Sequence, residues 1–130
     1  MRIYKAVCSL ALLALSGAST APAATADPNS DFDCAVVSEF FFRVAQDQKL
    51  PTDQLKEFVI IGLWYDTIWQ RDHPGEDTRT NDRYIPLVQA IGANPKPHGE
   101  TMKACAARAD TDPTFRQFAA SLRASSPDAK

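Results

Sequence analysis

Few side chains in this chain combine the type and the spacing that chemistry needs. Its two histidines are His73 and His98. His73 lies in Arg71-Asp72-His73-Pro74-Gly75-Glu76-Asp77, where three carboxylates crowd one imidazole. A divalent cation accepts such donors, but no H-x-x-x-H or H-E-x-x-H spacing organises them into a centre. Charges at a helix end ordinarily form a solvated cap, so neither a metal nor a cofactor is expected. Asp66 sits inside Trp64-Tyr65-Asp66-Thr67-Ile68-Trp69. Turned inward, its carboxyl needs a partner such as Tyr84, Arg83 or Arg108, or it titrates upward. A buried, shifted carboxyl is a candidate acid or base. The aromatic residues around it, Trp64, Tyr65, Trp69 and Tyr84, can instead line an apolar-ligand pocket or a partner surface, although core packing is their ordinary fate. There is no nucleophile elbow, no phosphate-binding glycine loop and no Ser–His–Asp set. The chain is therefore not expected to be an enzyme.

The cysteines are Cys8, Cys34 and Cys105, and the N-terminus decides how many of them count. Arg2 and Lys5 lead into an apolar run, Ala6 to Leu15, and no acidic residue precedes Asp27. A run of about ten residues fits the hydrophobic centre of a secretory signal, whereas crossing a bilayer takes roughly 20. A Ser/Ala/Thr/Pro-rich stretch follows. Ala24-Thr25-Ala26 satisfies the A-x-A cleavage rule, with Ala21-Pro22-Ala23 as an earlier alternative. Residues 1–26 are accordingly expected to be a signal peptide, and the protein to be exported to the periplasm or beyond. Cys8 lies inside the apolar run, which is not where lipidation needs it. No later run is long enough to span a membrane.

What remains is one small domain, 27–130. It keeps Cys34 and Cys105, an even number in an oxidising compartment, and hence an expected disulfide. The loop-entropy argument assigns such a bridge about 4.4 kcal/mol. A redox role is less expected, because catalytic dithiols are usually C-x-x-C neighbours. The signal removes two basic residues and no acidic one, leaving 12 Lys/Arg against 16 Asp/Glu, a net charge of −4. The basic residues are also scattered. A nucleic-acid or anionic-membrane partner needs clustered Lys/Arg to neutralise phosphate, so both classes are set aside.

The elements that must position these residues read as helices. After a loose polar lead-in over 27–31, Ser30 with Asp33 resembles a capping box, and Val37, Phe40, Phe41 and Val44 make a core-facing stripe. Phe42 falls off that stripe. Leu50-Pro51 ends the first helix near Lys49. Thr52 is a suitable N-cap for the second, whose segment Phe58 to Tyr65 has no polar residue and predicts the central, most buried helix. His73-Pro74-Gly75 ends it, and Gly62 within it suits close helix approach. A mobile polar loop is expected over 74–81. Asp82 can cap a third helix carrying Tyr84, Leu87, Val88 and Ile91 and closing at Gly92, with Pro86 tolerated only near its first turn. Asn94-Pro95-Lys96-Pro97 reads as a stiff connector. A fourth helix then runs from about Glu100 to Ala109. Asp112-Pro113 starts the last, with Phe115, Phe118, Ala119 and Leu122 on one face and a loose tail over 125–130. The expected fold is an all-α bundle of four to five helices stapled by one disulfide.

Asp33-Cys34-Ala35-Val36-Val37, Ile61-Gly62-Leu63-Trp64-Tyr65 and Met102-Lys103-Ala104-Cys105-Ala106 resemble the small exported two-cysteine helical proteins of alphaproteobacteria. Phe32-Asp33-Cys34 and Lys103-Ala104-Cys105 are similar in kind to the periplasmic acid-chaperone family HdeA, which places one cysteine early in helix one and one in a late helix. The cysteines here lie farther apart, and the Lys-rich C-terminus of that family is missing. The resemblances imply compartment and fold and transfer no active site; an aromatic-rich helical domain without an organised catalytic set is expected to work through an unidentified partner or client surface. A small apolar-ligand binder and an acid-stress chaperone are the alternatives.

Overall fold

Ser30 opens the first helix: its hydroxyl accepts the Asp33 N–H at 3.2 Å, and Asp31 and Asp33 occupy the positive first turn. The computed structural model describes residues 25–125. In chain order these form α1 (Asp31–Asp47), α2 (Thr52–Asp72), a 3₁₀ turn (Thr78–Thr80), α3 (Tyr84–Ala93), α4 (Pro95–Asp110) and α5 (Pro113–Ala124). There is no strand among the described residues. The all-helical bundle is thus as expected, with five helices and a Cys34–Cys105 disulfide. Its two Sγ atoms are 2.06 Å apart, tying the first turns of α1 to the C-terminal half of α4. Most of the expected signal segment and the 126–130 tail lie outside the described residues.

Several boundaries differ from the sequence reading, each for a local reason. The lead-in is not loose. Ser30 N–H donates to the Asp27 carbonyl and Asp27 N–H to the Asp33 carboxylate, which makes it a hydrogen-bonded turn. The capping box is therefore half-formed, because Asp33 serves Asp27 instead of returning to Ser30. Helix α1 stops two residues before Lys49. Lys49 takes a left-handed conformation (φ 56°) while Leu50 N–H reaches the Ala45 carbonyl and Lys49 N–H the Gln46 carbonyl. That is a Schellman ending with lysine where glycine is usual. Thr52 is the first residue of α2 rather than its cap, and Pro51 takes the cap position.

Asn81, not Asp82, prepares α3, its side chain accepting the Arg83 N–H at 3.0 Å. Pro86 is the third residue of α3, where no intrahelical donor is lost. The expected connector around Pro95 and Pro97 is the first turn of α4 for the same reason. Asp112 caps α5 as expected: Oδ1 accepts the Thr114 N–H at 2.8 Å and also its hydroxyl. Those bonds, the hydroxyl first, hold the Asp112 carboxyl below the ordinary carboxylate range.

The largest correction concerns the core. Helix α2 was expected at the centre, but α1 is there. Eight of its 17 residues are buried, in one block from Phe32 to Ser38 plus Ala45, against four of 21 in α2. Helices α2, α3 and α4 all pack on α1, and the small side chains Cys34, Ala35 and Ser38 let them come close. Gly62 marks the tightest approach, since a Cβ there would meet Ser38 Cβ at 3.3 Å. Helix α2 is covered by α1, α4 and α5 on one side and leaves Val59 and Leu63 exposed on the other.

Candidate functional site

The residues singled out from sequence go to different places. Tyr65 is a core residue, 1 % exposed, whose hydroxyl donates to the Cys105 carbonyl at 2.6 Å. Arg108 lies over its ring, 4.5 Å from the centroid, and donates onward to Asp31 at 2.9 Å. Burial pushes the Tyr65 phenol above its ordinary pKa, and Arg108 opposes the shift. Trp69 is buried against Phe32, with His73 stacked on its face at 4.5 Å. Trp64 is half-buried between Phe115 and Phe118 of α5. Tyr84, also half-buried, is raised in pKa by burial and then by the Glu39 carboxylate beside it. The two tryptophans are five residues apart on α2 and so point to different sides of the helix.

Asp66 is half-buried, but none of the partners anticipated from sequence meets it. It accepts from the Thr78 hydroxyl at 3.0 Å and the Gln70 amide at 3.0 Å, while Arg83 pairs with Asp33 and Arg108 with Asp31. Thr78 belongs to the 74–81 loop, which is pinned rather than free: Thr78 is buried, and Arg79 pairs with Glu39 of α1 at 3.1 Å. The Glu39 carboxylate in turn raises the pKa of Arg79. His73 is exposed. His98 is buried, with Nδ1 on the Asn94 carbonyl at 2.8 Å and Nε2 without a hydrogen-bond partner. Among the described residues no group of three His, Cys, Asp or Glu side chains could hold a metal ion.

The pinned loop, α1 and the uncovered face of α2 enclose an open groove of about 420 Å³. Its floor is apolar: Phe42, Phe58, Val59 and Leu63, with Gly62 deepening the middle. Carboxylates of Glu39, Asp66 and Asp77 stand around it with Arg79, so acidic groups outnumber basic ones at the rim. A second groove of about 360 Å³, toward Leu55 and Leu122, shares Phe42 and Val59 with the first, so the two meet along one apolar track. Of the residues expected from sequence to form a ligand or partner surface, Trp64, Tyr65, Asp66, Trp69 and Tyr84, only Asp66 lines this track. The overlooked signal was the 55/59/63 spacing on α2 together with Phe42 lying off the α1 stripe. Phe42 was expected to be exposed or to face another helix, whereas the 55/59/63 residues read as core because α2 was expected at the centre.

The groove holds the 3.0 Å hydrogen bond from the Thr78 hydroxyl to the Asp66 carboxylate, with Thr78 itself buried. Its chemistry is shape, apolar surface and acidic edge, which suits binding. No described helix is long and apolar enough to cross a membrane. Compared with known proteins, the chain matches no family model, no curated protein and no solved structure.

Proposed function

We propose that the protein is exported to the cell envelope and acts there without catalysis, holding an apolar, cation-flanked segment of a partner or client protein in the α1–α2 groove. The observation that carries this reading is the uncovered face of α2. Val59 and Leu63 lie one turn apart on it and are 37 % and 45 % exposed. The track through both grooves gives them neighbours in Phe42, Phe58 and Leu55, long enough to take several side chains of an extended or helical segment. Carboxylates exceed cations at the rim of the first groove, on a chain of net charge −4 after signal removal, which favours Lys or Arg on the flank that enters there, while Lys56 and Arg123 line the second groove. Export is supported by the Arg2/Lys5-led apolar run and its small-residue end, and the buried Cys34–Cys105 bridge is compatible with an oxidising compartment.

The test uses two labelled peptides of identical apolar sequence, one flanked by lysines and one by glutamates. Fluorescence anisotropy is expected to show the lysine peptide bound at least tenfold more tightly. Leu63→Glu, an exposed position whose change leaves the helical circular dichroism intact, is expected to abolish that binding. Equal binding of the two peptides, or binding indifferent to Leu63→Glu, removes the reading.

A further inference from the structure

Two bonds near the N-terminus satisfy the A-x-A rule for signal cleavage, one after Ala23 and one after Ala26. From sequence the later site was the first choice. The fold separates them, because Ala26 is part of the domain. Its side chain is in the core cluster, 2 % exposed, among residues that include Cys34 and Cys105. Its carbonyl accepts the Thr101 hydroxyl at 3.3 Å, from α4, 75 positions along the chain. The next amide, Asp27 N–H, donates to Asp33 Oδ2 at 2.8 Å, and Asp33 is itself buried and paired with Arg83.

We infer that signal removal cuts the Ala23–Ala24 bond, so that the working protein begins at Ala24 and carries Ala26 into its core. This rests on the export reading above. The bond itself lies outside the described residues, and the constraint on it comes from Ala26 and Asp27. In the step, water adds to the Ala23 carbonyl and the C–N bond to Ala24 breaks. The discarded peptide keeps a carboxylate at Ala23, and the domain gains an ammonium at Ala24. The catalyst is a signal peptidase acting on the chain before it folds, so the fold bears on the choice through which product can complete the domain. Cutting after Ala26 gives a different product. It deletes a buried side chain, takes from Thr101 the longer-range of its two acceptors, leaving it the Pro97 carbonyl, and turns the Asp27 amide into an ammonium beside a carboxylate that Arg83 already neutralises.

The full chain is expressed in a bacterium with its own export machinery, and the accumulated protein is read by intact mass and N-terminal sequencing. A start at Ala24 is expected. Any other processed start, Asp27 above all, overturns the assigned bond while leaving export standing. A chain that keeps Met1 overturns the export reading itself. A second measurement tests the physical ground: thermal melting of the chains starting at Ala24 and at Asp27. The shorter chain is expected to melt several degrees lower, and equal melting overturns the argument from Ala26.

Discussion

The Tyr65 hydroxyl donates to the carbonyl of Cys105, so one phenol links the middle of α2 to the residue that carries the disulfide. Tyr65→Phe keeps the ring under Arg108 and deletes only that bond. A net intramolecular hydrogen bond is worth about 1 kcal/mol, which for a domain of this size lowers Tm by about 4–8 °C. The pH dependence has a definite sign. Burial raises the folded-state pKa of Tyr65, so the folded chain holds the phenol proton more tightly than the unfolded chain does. That contribution is complete below the ordinary tyrosine pKa of about 10 and is lost as pH rises through the folded value. Urea melts of wild type and Tyr65→Phe are therefore expected to differ most near neutrality and to converge at alkaline pH. A gap that widens with pH would contradict this account. Asp66 teaches a different lesson at the same scale. Its need for a partner was legible from its aromatic neighbours, but the partners, Thr78 and Gln70, depended on where the following loop folded back.

At the scale of elements, helix ends carry the information. The Asp112 cap and the Gly75 turn (φ 83°) were legible because the residue types match the local bond each must make. The α1 ending was not, because Lys49 sits where glycine is normal. A side chain in the left-handed region costs about 1 kcal/mol, so Lys49→Gly is expected to stabilise the domain by about 0.5–1 kcal/mol. Thermal melting checks this, and a lower Tm would mean that the lysine stem makes packing the glycine loses. The start of α4 was misread in the opposite direction. Two prolines looked like a break, yet the first turn of a helix has no use for their missing N–H groups.

For the whole molecule the disulfide is the dominant constraint. It closes 71 positions of a small domain, and both cysteines are fully buried. Replacing both by alanine is expected to cost about 4 kcal/mol, a large share of the roughly 5–10 kcal/mol such a domain has. The urea midpoint of Cys34→Ala/Cys105→Ala should fall by about 40–80 %. An unchanged midpoint would show that packing alone holds α1 to α4. The pairing was readable before any fold was known, because Cys8 reads as part of a signal segment and leaves Cys34 and Cys105 to pair. The helices were readable for the same local reason: a 3.6-residue apolar period and a cap are written within a few turns of chain. Which helix stands at the centre was not. Coverage of a helix face is set by segments tens of residues away. Between α1 and α2 it was decided by the small side chains of Cys34, Ala35 and Ser38, which let three helices close on α1 and left Val59 and Leu63 of α2 to form a groove.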